Sequence, residues 1–454
     1  RNASYTLQLT VENIQSDTED PIHGDDLFAY GHVGTFDIDY IPVFEFNDRI
    51  DSAFQTDYRE VIRSFDASTS SNPILANYNN ILGLSGDQEL TLGTYGIQGE
   101  GDESTFFDFR ENDIANISLD RFYAINGRTN SAYVNTWFDS NVGAVYNTFN
   151  NGSNDLYTFQ ANASFEIVPG SSDKSRHSIQ LGVVYEERIN RSYGVAPRGL
   201  WNAARSRVNQ HLVAVEGDNR VIDSMSVTEF GGFFDQNVAV LAPTIQDNDG
   251  QFYRAIRERL GVPLDQFVNV DGLSPDQLSL DMFSARELTF DGLVGYAGYD
   301  YLGNEYDGTF DDFFTVGADG ERSFNVAPFR PIYAAAYLQD KFTINKMIFR
   351  LGVRVDRYDA NTKVLKDPYS LYEILGAGDF HTNFGGERPG SIGADYKVYT
   401  DVADGTNVVA YRSGDEWFRP DGAPTNSPLE IDALRGLLPT PKYVNSAIYE
   451  TPDF

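Results

Sequence analysis

Ile348-Phe349-Arg350-Leu351-Gly352-Val353-Arg354-Val355-Asp356 places Phe349, Leu351, Val353 and Val355 on one side of an extended chain. Arg350, Gly352, Arg354 and Asp356 fall on the other side. A strict period of two is the mark of a strand with one apolar and one polar face. The same pattern recurs upstream. Ile332, Ala334, Ala336 and Leu338 alternate with Tyr333, Ala335, Tyr337 and Gln339, and a turn near Asn345-Lys346 makes the two runs a hairpin. Tyr157, Phe159, Ala161, Ala163, Phe165 and Ile167 oppose Thr158, Gln160, Asn162, Ser164 and Glu166. After Pro169-Gly170-Ser171-Ser172-Asp173, Ile179, Leu181, Val183 and Tyr185 oppose Ser178, Gln180, Gly182 and Glu186, with Val184 the exception. The opening run sets Tyr5, Leu7, Leu9 and Val11 against Thr6, Gln8, Thr10 and Glu12.

Five strands are therefore expected, at 3–12, 156–168, 176–192, 327–341 and 347–359. They are long, whereas strands of soluble proteins average about 5–6 residues. A run of about 12 residues, tilted by about 45°, rises close to 28 Å, near the apolar band of an outer-membrane barrel. The connections alternate between short and very long. Turns 169–175 and 342–346 have 7 and 5 residues, while intervals 13–155, 193–326 and 360–454 have 143, 134 and 95. Counting strand directions puts all three intervals at one end and both turns at the other. Short turns on one side and long loops on the other are the asymmetry of such barrels. The expectation is all-β: part of a transmembrane antiparallel β-barrel with long, partly helical extracellular loops. Local signals in the loops include a capping box at Ser274-Pro275-Asp276-Gln277, leading to a short helix around Asp281–Leu288. Helical spacing runs through Leu200–Leu212 and Phe252–Leu260, and extra strands are expected near 30–46 and 294–316.

The 454 residues carry 34 Lys+Arg against 67 Asp+Glu, for a net charge of −33, and no cysteine. That charge opposes nucleic-acid binding, which needs cations for phosphate. The missing thiols exclude disulfides, Cys-ligated zinc and iron–sulfur clusters. The 27 Tyr and 32 Phe are too many for a disordered acidic chain. The acidity is one-sided: the strands and short turns are near neutral, and the three intervals together carry about −36.

No catalytic constellation stands out, and the chain reads as a non-enzyme. His23, His32, His177, His211 and His381 form no HExxH or other close pair. There is no G-x-S-x-G, P-loop or dinucleotide fingerprint. Asp247-Asn248-Asp249-Gly250 resembles the start of a calcium loop and has Glu258 at position 12, but its Gly stands at position 4 instead of 6, and Arg254 and Arg257 lie inside. A solvated turn before a helix is the better reading. Structural calcium in acidic stretches such as Asp311-Asp312 is left open, with no assignable ligands. The polar faces supply lumen-facing candidates: Gln160, Asn162, Glu166, Gln180, Glu186, Arg350, Arg354 and Asp356. They read as a network between a barrel wall and what fills it, with direct substrate contact as the alternative. Trp201, Tyr301, Tyr306 and Trp417 in the loops are candidates to stack on a sugar or peptide, against packing inside the loops.

Tyr333-Ala-Ala-Ala-Tyr337-Leu-Gln-Asp-Lys-Phe342, with the strand from Ile348 to Asn361 and Asp367-Pro-Tyr-Ser-Leu-Tyr372, resembles a barrel hairpin of TonB-dependent outer-membrane receptors. The variety is the large Oar-like and SusC-like type of Bacteroidota. Ile179–Arg188 and Leu280–Leu288 are similar to the same group, so the resemblance touches the chain in patches. It implies a barrel of about 22 strands closed by an N-terminal plug. It also implies import of a scarce peptide, glycan or chelate, driven by the TonB complex. The implied partners are outer-membrane lipid, the remaining strands and plug of the same protein and, in some members, a surface lipoprotein over the barrel. No plug or TonB box is visible, so the chain reads as the central part of a longer polypeptide in the cell outer membrane, its loops extracellular. The rival reading is a surface adhesion or assembly protein that uses the barrel as an anchor. A soluble β-rich enzyme is a third; it requires residues such as Tyr157, Phe159, Phe165 and Leu351 to pack between two sheets.

Overall fold

The computed structural model describes residues 3–47, 52–74, 76–77, 96–97, 124–129, 147–169, 176–213, 215, 219–229, 235–317, 320, 322–344, 346–370, 373–401, 405–431 and 449–451. The fold is mostly β and antiparallel. Its main sheet consists of β1 (Ala3–Thr18), β2 (Phe149–Ile167), β3 (His177–Val195), β4 (Ile332–Ile344) and β5 (Met347–Asp359). They lie side by side in chain order, each antiparallel to the next. All five expected strands are present. Of the two expected turns, residues 170–175 and 345 lie outside the described residues.

The strand boundaries differ from expectation mainly at the end facing the long intervals. β1 runs on to Thr18, β2 begins at Phe149 and β3 reaches Val195. The extensions of β1 and β2 carry Asn13, Ser16, Asp17, Asn150 and Asn151, which weaken the alternation there, while the extension of β3 is only Tyr193-Gly194-Val195. The backbone ladder nevertheless continues, pairing Asn13 with Asp155 and Thr18 with Asn150. β4 starts at Ile332 instead of 327. Pro328 and Pro331 precede it, and proline has no N–H for a ladder.

Described parts of the first two intervals fold into one layer on the extended strand ends. Phe28 from the first interval packs with Leu200, Trp201, Phe252, Ile256, Phe283 and Leu288 from the second, and with Phe149, Tyr193 and Val195 of β2 and β3. Helix α1 (Pro197–Val208) begins on Pro197 and buries Leu200, Trp201, Ala204 and Val208. Helix α2 (Phe252–Leu260) buries Phe252 and Ile256 and ends on Gly261 at φ 68°, where a left-handed cap favours glycine. The expected helix near Asp281–Leu288 divides into a 3-10 turn, Leu280–Met282, and α3 (Ala285–Phe290), which opens on a Ser284/Glu287 capping box. The extra strands form at Thr35–Asn47 and Val294–Ala297. Val294–Ala297 pairs with Ser192–Val195 and so occupies the edge of β3 above the part taken by β4.

The third interval builds a separate core. Helix α4 (Ala377–Phe384) and the strands Lys397–Thr400, Val408–Ser413 and Glu416–Phe418 bury Phe380, Ile392, Val398, Tyr411 and Trp417.

Candidate functional site

The register of the sheet brings the strand periods into phase. Across the five strands, Leu7, Ala161, Val183, Ala336 and Val355 form one row, and Tyr5, Ala163, Leu181, Leu338 and Val353 the next. One sheet face is thus apolar through its middle. Tyr5, Leu7, Leu9, Tyr157, Phe159, Val183, Leu338, Leu351, Val353 and Val355 are all exposed on it, from 42 % for Tyr157, Phe159 and Val183 to 82 % for Tyr5. Among the described residues no second sheet covers them. An uncovered apolar area of this extent marks an interaction surface. One acid interrupts it near the turn end: Asp340, which meets His177 Nδ1 at 2.7 Å, while the imidazole stacks on Phe342.

Above this band the same face becomes charged, then buried. Asp155 and Asp307 clasp Arg191 at 2.9 and 2.6 Å, Arg330 joins Asp307 at 2.8 Å, and Arg357 pairs with Asp359 at 3.0 Å. Past this belt, Phe149, Tyr193 and Val195 enter the loop core.

The opposite face holds the lumen-facing candidates, and the structure assembles some of them. The Tyr337 hydroxyl donates to Asn162 Oδ1 at 3.1 Å across Gly182, which lies between them in the ladder. Arg354 donates to Asp356 at 2.9 and 3.1 Å and to the Tyr333 hydroxyl at 2.7 Å, and that hydroxyl donates to Asp356. Glu166 pairs with Arg176 beside the short turn. Gln160, Gln180, Glu186 and Arg350 share the face, spread along its length, and do not join these clusters. Tyr333 and Tyr337 were missed as site residues. The available signal was Gly182 among larger residues, because a strand glycine often marks a place where another group lies close.

The aromatic loop candidates need correction. Trp201 is fully buried; its indole N–H donates to the Phe28 carbonyl at 2.8 Å and its ring stacks on His32. Trp417 is buried between Tyr399, Tyr369 and the Arg412 guanidinium. Neither ring offers a free face to a ligand. Tyr301 and Tyr306 are half-buried, and the Tyr306 hydroxyl donates to Asp312 at 2.7 Å.

Asp247 is engaged by Arg254 at 2.6 Å, Asp311 by Lys363 at 2.9 Å, and Asp312 caps a 3-10 turn at Thr309. Among the described residues no three metal-donor side chains converge. Instead the loop core is pinned by buried polar groups. Asp271 receives two bonds from Arg205, at 2.7 and 2.6 Å. Arg257 donates to the Val208 and Gln266 carbonyls and to Asn209; burial lowers its pKa to about 10. Burial likewise lowers the His32 imidazole to about 4.

No family model, curated protein or solved structure matches the chain significantly. None of the helices among the described residues is long and apolar enough to cross a membrane, which leaves crossing by strands open.

Proposed function

We propose that this chain is wall and outer layer of an outer-membrane β-barrel receptor, importing a scarce peptide, glycan or chelate by energy from the TonB complex. One observation carries the membrane part: where apolar gives way to charge on the uncovered face. The boundary falls between Val11 and Asn13 on β1, Tyr157 and Asp155 on β2, Tyr185 and Glu187 on β3, and Val355 and Arg357 on β5. These positions do not follow the ladder. Asn13 faces Asp155, but Arg357 lies in the row of Ala334, Tyr185, Phe159 and Leu9. The boundary therefore drops four residues across four strand spacings, while on β4, where Ile332 is still apolar, it stands above this line. The turn ends slip the same way: the β2–β3 ladder stops at Ile167–His177, whereas β4–β5 continues past Phe342–Phe349 to Ile344–Met347. About 13 Å of slip over about 19 Å of sheet is a tilt of roughly 35°. A flat bilayer edge crossing strands at about 35–45° is the geometry of a membrane barrel.

Among the described residues no strand pairs with the outer edges of β1 and β5, which fits the same reading, because unpaired edges do not face lipid and further strands must close them. The inner polar face then lines the lumen, where Asn162–Tyr337 and Tyr333–Arg354–Asp356 stiffen the wall. Catalysis has no part in this reading. The test is deletion in the native organism, followed by uptake on defined peptides, glycans and metal chelates, with fractionation of the intact protein. The reading predicts the protein in the outer membrane and loss of one substrate class. Recovery in the soluble fraction would refute it.

A further inference from the structure

The 3-10 turn Phe310–Phe314 carries Phe310, Phe313 and Phe314 within five residues, and none of them is buried. Rings gathered so closely ordinarily enter a core. Here they line a cleft of about 730 Å³ together with Phe329, which is 42 % exposed. Sites for small molecules are typically about 300–1,000 Å³. Phe313 meets Phe314 edge-on at 5.1 Å, and Phe314 lies 5.7 Å from Phe310. Thr309, Asn361, Thr362 and Thr451 add uncharged hydrogen-bonding groups to the lining.

The charged groups of the lining are answered within the protein. Lys363 Nζ bonds both oxygens of Asp311 at 2.9 Å, Arg330 pairs with Asp307 at 2.8 Å, and Asp359 pairs with Arg357 at 3.0 Å. Lys363 also stands 5.6 Å from the centre of the Phe310 ring, and Arg322 stands 5.9 Å from that of Phe314. A ligand cation would therefore meet Lys363 and Arg330, beside rings that already attract cations of the protein. A ligand anion would meet Asp359 and the carboxylates that neutralise Lys363 and Arg330. An uncharged ring meets neither repulsion, and aromatic walls accept it edge-on or stacked.

We infer that this cleft binds an uncharged aromatic ring bearing neutral amide groups, the ring among the phenylalanines and the amides towards the threonines and Asn361. The inference goes beyond import and does not depend on it, since binding is read on the intact protein without uptake. The test presents one ring with three charges: N-acetyl-tryptophanamide, indole-3-acetate and tryptamine, each titrated by saturation-transfer nuclear magnetic resonance. The neutral amide should bind saturably and more tightly than either charged analogue. Phe313→Ala should weaken it by about three- to ten-fold. Thr362→Trp, at an exposed position, should fill the cleft and abolish saturable binding while leaving all four phenylalanines in place. A parent that binds none of the three overturns the inference, as does a charged analogue that binds as tightly as the neutral one. Binding undiminished in Phe313→Ala or Thr362→Trp lies elsewhere on the protein and overturns it equally.

Discussion

The Tyr337 ring lies over Gly182 and its hydroxyl reaches Asn162 Oδ1 at 3.1 Å, so one side chain ties β4 to β2 across the strand between them. A Cβ on residue 182 would stand 2.4 Å from Tyr337 Cε1 and 2.5 Å from Asn162 Oδ1. Gly182→Ala is expected to destabilise the wall by about 1–3 kcal/mol through overpacking. Tyr337→Phe, which keeps the ring and loses one bond, should cost about 0.5–1.5 kcal/mol. Unfolding midpoints of the two variants in detergent check the order; equal or inverted costs would show that the ring does not sit on Gly182.

Val353 lies midway along β5 on the apolar face at 61 % exposure. In water, Val353→Arg would change stability by only about 0.5 kcal/mol. Facing lipid near mid-bilayer it should cost about 2–4 kcal/mol. Arg357→Leu, beyond the boundary, should be nearly neutral. Folding into vesicles, compared for both variants, separates a lipid-facing wall from a solvent-facing one.

His32 makes the loop layer acid-sensitive. Its imidazole is buried, stacks on Trp201 and has a pKa lowered to about 4 from the usual 6.5. The unfolded chain therefore binds a proton that the folded layer refuses between these values. Stability from this group is complete above pH 6.5 and falls as pH drops towards 4, by up to about 3 kcal/mol. Tryptophan fluorescence during thermal unfolding should show this loss in the parent, and His32→Gln should flatten that part of the profile. An equal slope in the variant would assign the acid sensitivity elsewhere.

Asp271 is 1 % exposed and holds Arg205, which also donates to the Asn126 carbonyl at 2.7 Å. Asp271→Asn leaves a buried guanidinium without its countercharge, at an expected cost of about 3–5 kcal/mol. Limited proteolysis should find the first and second intervals cut sooner, while the third interval's own core stays resistant. Simultaneous loss of both would mean that they are one folding unit.

Asp367 plays the equivalent part in the third interval. Burial pushes its carboxyl up, but the Tyr369 amide, Arg412 and the Tyr399 hydroxyl outweigh this and leave it below the ordinary value. The contribution is present above about pH 4 and is lost as pH falls through the lowered pKa. Asp367→Asn should remove that acid transition from hydrogen exchange at 397–413 and lower protection there at neutral pH.

Legibility in the sequence followed what each residue touches. Phe349 to Val355 announced a strand because one whole face is apolar and the other is not. The outer ends of β1 and β2 were invisible because Asn13 and Asn150 are paired through their backbones, which carry no residue signature. Ala204, Val208 and Ile256 were recognisable as helical faces because near neighbours at helical spacing share a burial. Trp201 and Trp417 were ambiguous, since an aromatic ring reads alike whether it meets a ligand or Phe28 and Tyr399.

The sequence by itself determined the strands, their order and the segregation of charge into the long intervals. Each of these depends on local periodicity or on counting along the chain. Only the tertiary structure decided that the strands register into one apolar face with an oblique edge, that described parts of the first two intervals share a core, and that the third builds cores of its own. Those facts depend on which distant backbones pair, such as Leu9 with Phe159 and Val364 with Glu450, and a ladder hydrogen bond is the same chemistry for every residue but proline.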